Sequence, residues 1–385
     1  MSNKINTEKE KEDFFDRKKP WSKIKDNILT KYIEPYLNKI KELKRPIVIV
    51  DGFAGPGKFN DGSEGSPLII CRRINEEKER LKINIPIIGI FIDKKKRHYT
   101  ALKNNLQEYI DKETAFVFHE DFGNLIEEII EIVKDSSVLF YLDPFGIRGI
   151  EFDKLQKIFE RVNIASTEVL INFNYISFVR QAGNWNVDDS IEEIKKKVRM
   201  AKLDNAKNVM GGDYWLDIVE NPLLSPPERE LAVVEAYKEK YKIYFRYVCS
   251  CPVKEKDANV AKYHLIFASR HFDALDLMND IMHAEFENFL MHEYREGFLF
   301  DTRPEDKKKD LAKLEKMIYE LVVKEKPITR LEIRKALIPL NFMKYARKDY
   351  RVCIENLLIS KKFYSSSGKT SRINDETSLS TEKFN

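Results

Sequence analysis

The alternation of short apolar runs with amphipathic segments between residues 46 and 175 constrains the fold of this chain more than any other feature. The runs are rich in β-branched residues and end in turn residues, whereas the segments between them carry apolar residues at helical spacing. This pattern is typical of a parallel sheet covered by helices on both faces. The predicted strands are 46–51, 86–92, 115–119, 137–143 and 168–173, and the predicted helices are about 67–80, 97–110, 124–134 and 153–161.

The first predicted strand leads into a glycine-rich loop, Asp51-Gly-Phe-Ala-Gly-Pro-Gly57. Glycines allow a tight turn and a close approach of the backbone to a small ligand. The loop lacks the Gly-Lys-Ser/Thr ending that binds phosphates, and its aspartate would repel a phosphate. That carboxylate suits a ligand with an ammonium group, such as S-adenosylmethionine (SAM). Glycine-rich turns are also common after strands, so the loop alone does not decide the function.

The next two predicted strands also end in acidic residues. Asp93, followed by Lys94, could accept both hydroxyls of a ribose. Asp121 could accept a hydrogen bond from an adenine amine while Phe122 packs on the ring. Each aspartate also has a plain structural explanation, because Asp93 could belong to a solvated loop and Asp121 could cap the following helix. The order of the loops, each at a successive strand end, favours a SAM pocket.

The fourth loop, Asp143-Pro-Phe-Gly146, is the predicted site of the reaction. A planar amine becomes a better nucleophile when a carboxylate and a backbone carbonyl hold its hydrogens, and Pro144 offers a carbonyl without a competing N–H. Phe145 offers an aromatic surface on which a base could stack. The predicted catalytic residues are Asp143, Pro144, Phe145 and Gly146, and the predicted cofactor-binding residues are Asp51, Phe53, Ala54, Gly55, Gly57, Asp93, Lys94, Asp121 and Phe122.

The flanking regions differ from this alternating core. Ser22 is predicted to cap a first helix, and Lys361–Asn374 resembles a short hairpin that follows three helices. Such a helical unit with a basic hairpin is typical of a winged helix, which could contact nucleic acid or protein. The predicted organisation is a disordered segment at 1–20, an α/β domain at 21–300 with a helical insertion at 176–240, a winged-helix-like domain at 305–375 and a disordered tail at 376–385. Two strands at 243–249 and 263–269 and a helix at 272–292 complete the α/β domain.

Composition sets limits on the class of protein. The 385 residues are 43% hydrophobic and 34% charged, with a net charge of only +4, so any nucleic-acid surface must come from local segregation of charge. The four cysteines have no zinc-like spacing, which favours buried thiols and a reducing cytoplasm. The sequence has no run approaching the ~20 apolar residues that a membrane span needs. A cytoplasmic protein without a metal is therefore expected.

Several widely spaced blocks together resemble the three-Cys-motif partner (TcmP) family. They are Phe14-Phe-Asp-Arg-Lys-Lys-Pro-Trp-Ser-Lys-Ile-Lys25, the glycine-rich loop, Gly65-Ser-Pro67, Gly211-Gly-Asp-Tyr-Trp215 and Tyr263-His-Leu-Ile-Phe267. The resemblance implies a class I methyltransferase-like fold and a separate three-Cys-motif protein as partner. The fourth loop also resembles those of tRNA guanine-amine dimethyltransferases and, more loosely, of adenine-amine methyltransferases. By that likeness, Asp143 and Pro144 would bind the target amine and Phe145 would stack on the base.

Two functions are therefore expected from the sequence. The first is SAM-dependent methyl transfer to an exocyclic base amine of RNA or DNA, carried out by a class I methyltransferase-like, Rossmann-like α/β domain. The second is a non-catalytic adaptor that keeps this fold and presents nucleic acid to a cysteine-motif enzyme. The four intact loops favour the enzyme, whereas the departure of Phe145 from the Asp-Pro-Pro-Tyr pattern and the extra C-terminal domain favour the adaptor.

Overall fold

The structure is a computed structural model that describes residues 18, 20–161, 166–183, 193–254, 258–295 and 303–384. The chain forms two compact units, Met1–His271 and Phe272–Asn385. The predicted disordered segment 1–20 lies, apart from Lys18 and Pro20, outside the described residues.

The first unit alternates helices and strands as the sequence predicts. Its helices are α1 Pro20–Ile40, α2 Ser66–Arg80, α3 Lys96–Asn105, α4 Gln107–Asp111, α5 Phe122–Ile132, α6 Phe152–Phe159, α7 Tyr175–Ala182, α8 Glu193–Met210, α9 Leu216–Glu220 and α10 Pro226–Lys242. Its strands are β1 Ile47–Asp51, β2 Ile87–Ile92, β3 Ala115–Phe118, β4 Ser137–Leu142, β5 Thr167–Phe173, β6 Tyr247–Val253 and β7 Tyr263–Ser269.

These seven strands form one sheet in the order β3-β2-β1-β4-β5-β7-β6. The strands β1 to β5 are parallel, and β7 lies antiparallel between β5 and β6. The connections reverse direction between β1 and β4, which is the position where open α/β sheets form a ligand crevice. The unit therefore has the class I methyltransferase-like, Rossmann-like fold that the sequence predicts.

Three local predictions about this unit were wrong. Ser22 does not cap α1, because the helix already begins at Pro20 and the serine lies buried inside it. The helix predicted at 97–110 is two helices that meet at Leu106. The strand predicted at 243–249 begins at Tyr247, because α10 continues to Lys242.

The described residues of the region predicted as a helical insertion, 176–183 and 193–240, contribute to the main core. Trp215 on the approach to α9 is fully buried, and so are Val209 on α8 and Tyr237 on α10. All three belong to the same apolar cluster as Phe140 of β4 and Phe173 of β5. Burial of a large aromatic side chain contributes about 1.5–3 kcal/mol, so these helices stabilise the face of the sheet on which they pack.

The second unit combines helices with a small antiparallel sheet. Its helices are α11 Phe272–Arg295, α12 Arg303–Glu325, α13 Arg330–Leu337 and α14 Arg347–Ile359, and its strands are β8 Ile328–Thr329, β9 Tyr364–Ser365 and β10 Ser378–Ser380 in the order β8-β10-β9. Thr329 and Glu332 form a capping box at the start of α13. The winged-helix class remains a prediction.

The C-terminal unit differs from the sequence expectation at both of its ends. The helix α11, which the sequence analysis placed in the α/β domain, groups with the smaller unit. The segment predicted as a disordered tail contains β10, because Leu379 is buried and pairs with Ile328 and Ser365. The hairpin therefore joins 364–365 to 378–380 instead of closing within 361–374.

Cysteine burial agrees with the sequence analysis. Cys71, Cys249, Cys251 and Cys353 are all buried and free, and burial raises the pKa of each thiol. Among the helices of the described ranges, none has the length and apolar character needed to cross a lipid bilayer.

Candidate functional site

A cavity of about 800 Å³ lies at the carboxyl ends of the parallel strands of the first unit. Its position is the crevice expected from the reversal between β1 and β4. Its volume lies within the range of small-molecule sites, roughly 300–1,000 Å³. The predicted residues that line it are Phe53, Ala54, Gly55, Gly57, Asp93, Lys94, Asp121, Phe122, Asp143, Pro144, Phe145 and Gly146. The structure thus brings together every predicted site residue except Asp51, while the role of each remains a prediction.

The glycine-rich loop is fixed to the strands on both sides of β1. The Gly52 N–H donates to the Tyr141 carbonyl at 3.1 Å, and the Ala54 N–H donates to the Ile92 carbonyl at 2.9 Å. Gly55 and Gly57 adopt the left-handed conformation, with φ of 64° and 78°, which favours glycine. The loop is therefore a rigid edge of the cavity.

Asp51 lies beneath this loop and does not line the cavity. Its carboxylate accepts hydrogen bonds from the Ser66 hydroxyl at 2.6 Å and from the Phe53 N–H at 3.1 Å. Burial raises the pKa of Asp51 to about 7, although these two hydrogen bonds lower it. The predicted direct contact with a ligand ammonium is therefore a poor fit, because the side chain is fully buried and is used to join the loop to the start of α2.

Asp93 at the end of β2 is held from three directions. One carboxylate oxygen, Oδ2, accepts the Gly55 N–H at 3.1 Å, and the other, Oδ1, accepts the Lys95 N–H at 2.7 Å. The His98 Nδ1 lies 3.2 Å from Oδ2. These contacts orient the carboxylate at the cavity wall and link it to the glycine-rich loop.

Asp121 follows β3 and has the capping role that the sequence left open, while its role towards a ligand remains a prediction. Its Oδ1 accepts the Gly123 N–H at 3.1 Å and so caps α5, while the residue also lines the cavity. Burial acts to raise the pKa of Asp121, but the Lys94 ammonium, 3.0 Å from Oδ2, outweighs it and the pKa is lowered. The neighbouring Phe122 contacts Phe53 at a ring separation of 5.6 Å, which gives this end of the cavity an apolar wall.

Asp143 at the end of β4 is bound by two residues that the sequence analysis did not select. Its Oδ2 forms an ion pair with the Lys25 ammonium, and its Oδ1 accepts the Asn172 amide at 2.6 Å. Phe145, two residues further on, is 67% exposed although it lines the cavity. An exposed aromatic ring beside a fixed carboxylate is an arrangement that could receive a planar base.

The largest omission of the sequence analysis is the contribution of α1. Ser22, Lys25 and Asp26 line the cavity, and all three are buried. Their spacing places them on one face of the helix. The sequence signal that could have identified them is the presence of polar residues on an otherwise apolar face of the predicted helix.

Asp26 is tied to the chain that precedes α1. Its carboxylate pairs with the Lys18 ammonium, which also donates to the Glu64 carbonyl at 2.7 Å. Burial raises the pKa of Asp26, while the charges of Lys18 and Lys25 oppose the rise. The polar segment Lys58–Gly65 thus helps to hold this part of the chain in place.

Three further cations, Arg148, Arg180 and Lys262, line the cavity, and Asn174 and Ser177 add polar groups at the start of α7. Sequence reasoning gave no reason to select these cations, because they come from separate loops and helices.

Comparison with known proteins gives only distant likenesses. No protein-family model matches this chain, and no curated protein matches it. Among solved structures, an rRNA methylase from Streptococcus thermophilus is 9% identical and covers 64% of this chain and 95% of its own, with a TM-score of 0.29. Spermidine synthase from Thermotoga maritima is 9% identical and covers 65% of this chain and 59% of its own, with a TM-score of 0.32. Values this low give no information about the function of this chain.

Proposed function

We propose that the protein is a SAM-dependent methyltransferase that acts on an exocyclic base amine of RNA or DNA. The observation that carries this proposal is the convergence of the glycine-rich loop with Asp93, Asp121 and Asp143 on one cavity at the switch point of the sheet. In such sheets, the ends of neighbouring strands hold successive parts of one nucleoside ligand.

The residues at one end of the cavity fit the nucleoside part of SAM. Asp93 presents a fixed carboxylate at the end of β2, where it would accept the ribose hydroxyls. Phe53 and Phe122 form an apolar wall for the adenine ring, and Asp121 lies beside it as an acceptor for the adenine amine. The glycines of the loop would allow its backbone to approach the ligand closely.

The residues at the other end fit a base that carries an exocyclic amine. SAM supplies an activated methyl group, so the protein contributes mainly by positioning the acceptor. Asp143 would accept one amine hydrogen and the Pro144 carbonyl the other, which orients the nitrogen lone pair. Asp143 can also take the proton that the amine releases. Phe145 is exposed and would stack on the base.

Three cations of the cavity favour a substrate that carries phosphates. Arg148, Arg180 and Lys262 line the same cavity as Phe145. A base that stacks on this ring would bring its flanking phosphates close to these cations, whose pairing releases counterions and strengthens binding at low salt. Because the net charge of the chain is only +4, a nucleic-acid surface must come from such a local group of cations.

The proposal is tested by SAM binding and methyl transfer measured on the same protein. SAM is titrated by calorimetry, and labelled SAM is then incubated with mixed RNA and DNA. We expect transfer to nucleic acid, and we expect Asp143→Asn to lower its rate about a hundredfold or more while the variant still binds SAM. Asp153→Asn, on the exposed side of α6, is the matched control and should retain the wild-type rate. An absence of SAM binding would overturn the proposal.

One observation favours a second function. Both oxygens of Asp143 are already engaged, by Lys25 and Asn172, so an incoming amine must share or displace these partners. A protein with this arrangement could bind SAM and nucleic acid without transfer, as an adaptor for a cysteine-motif enzyme. The resemblance to the three-Cys-motif partner family is part of this alternative. SAM binding without transfer to RNA or DNA would support the adaptor over the enzyme.

A further inference from the structure

Two buried residues of opposite charge lie at the end of the cavity that faces α1. Asp26 is 8% exposed and Lys25 is 6% exposed, and both line the cavity together with Ser22. Buried charged groups are costly unless they are paired or bind a ligand. These two are paired with Lys18 and Asp143, yet both remain at the cavity wall.

This end of the cavity lies next to the ends of β1 and β4. The ion pair between Lys25 and Asp143 places this face of α1 at the end of β4, and the charge of Asp26 acts on Asp51 at the end of β1. Asp93 and Asp121 stand at the ends of β2 and β3 instead, on the side assigned to ribose and adenine. A nucleoside that extends from β3 across β2 therefore presents its 5′ substituent to α1.

The 5′ substituent of SAM ends in an α-amino acid, which carries an ammonium and a carboxylate. We propose, on the basis of the function proposed above, that Ser22, Lys25 and Asp26 of α1 form the binding subsite for this zwitterionic group. Asp26 binds the α-ammonium, and Lys25 and Ser22 bind the α-carboxylate. Lys25 has three donors and can serve both this carboxylate and Asp143.

Asp26 thus takes the role that the sequence analysis gave to Asp51. Asp51 does not line the cavity, and its oxygens accept from Ser66 and Phe53. Lys18 pairs with Oδ2 of Asp26, and a carboxylate has a second oxygen with its own lone pairs. A ligand ammonium can therefore join the existing pair.

Two ligands that differ only in the amino-acid part test this subsite. S-adenosylhomocysteine carries the α-amino acid, whereas 5′-methylthioadenosine has the same nucleoside and a methyl group in its place. Calorimetry gives the affinity of each for wild-type protein and for Asp26→Asn. We expect the substitution to weaken S-adenosylhomocysteine about tenfold or more, the size of a lost charge-assisted hydrogen bond, and to leave 5′-methylthioadenosine unchanged.

The control is Glu34→Gln on the same helix. Glu34 is partly exposed, pairs with Arg73 and Arg80, and does not line the cavity, so both affinities should stay at the wild-type values. An equal loss for both ligands in Asp26→Asn would overturn the inference, because Asp26 would then support the pocket and not the amino acid. Unchanged affinities for both ligands in Asp26→Asn would also overturn it. Wild-type protein that binds neither ligand would instead contradict the proposed function itself.

Discussion

The two units of the chain use the same charged residue types in opposite ways. In the C-terminal unit, Arg334 contacts Asp276 at 3.3 Å and Asp375 at 2.7 Å, and Arg330 also binds Asp375. Arg334 and Asp276 are buried among their partners. Asp375 has a lowered pKa because Arg334 and Arg330 both bind its carboxylate. The charged side chains of this cluster therefore pair with one another.

In the α/β unit, by contrast, the carboxylates stand at a cavity. Asp26, Asp93 and Asp143 each have partners, but each also lines the same cavity. Paired charges inside a packed unit hold helices together, whereas charges that border a cavity at strand ends are candidates for ligand binding. The difference between the two clusters therefore separates a structural role from a functional one, and it can be tested on single carboxylates.

Asp276 should produce the largest loss of stability. We expect Asp276→Ala to lower the free energy of unfolding of the C-terminal unit by about 3 kcal/mol, because it removes a partner of the buried Arg334. Urea unfolding followed by circular dichroism measures this change. Glu320→Ala is the control, since its pair with Lys316 is exposed and such pairs contribute roughly 0–1 kcal/mol. Equal stability of the two variants would contradict a structural role for this cluster.

Substitution of Asp93 should affect ligand binding, whereas substitution of Asp276 should affect stability. We expect Asp93→Ala to weaken SAM binding by about 1.5–3 kcal/mol, through lost charge-assisted hydrogen bonds. Part of the loss would come from the Gly55 N–H, which the carboxylate also holds. Calorimetric titration with SAM gives the value, and Asp111→Ala on the exposed surface of α4 provides the comparison. Unchanged affinity would exclude Asp93 from the ribose site.

The sequence was sufficient to predict the strand ends but not the helix that lies over them. Asp93, Asp121 and Asp143 follow β-branched runs, and in a parallel sheet such ends share one edge. Helical spacing places Ser22, Lys25 and Asp26 on one face, but it does not tell which part of the fold that face meets. The same limit explains why Asn172, inside the apolar run of β5, was missed.

Short strands were the other limit of the sequence. The strands β9 and β10 have two and three residues, which is too few to show an alternation of apolar and polar positions. Leu379 is the only strongly apolar residue of β10, and its burial depends on β8 and β9. The polar composition of 376–385 therefore led to the prediction of a disordered tail.

Glu168 offers a third kind of carboxylate, one that is buried but belongs neither to a paired cluster nor to the cavity. Its carboxylate accepts a hydrogen bond from the hydroxyl of Tyr32 on α1 at 2.6 Å. Burial raises its pKa from 4.5 to about 7, although the hydrogen bonds from Tyr32 and Ser166 lower it. Because the folded-state pKa lies above the unfolded value, the protonated form stabilises the fold fully below pH 4.5. This contribution is lost as the pH rises towards 7.

Glu168→Gln should therefore reduce the loss of stability between pH 5 and pH 8 by about 2 kcal/mol, measured by urea unfolding at both pH values. Asp51, whose pKa is also raised to about 7, should keep part of the pH dependence in the variant. Glu160→Gln, at an exposed position after α6, should follow the wild-type protein. An identical pH dependence in all three proteins would mean that Glu168 ionises as easily in the folded chain as in the unfolded one, and burial alone would then not distinguish it from the carboxylates at the cavity.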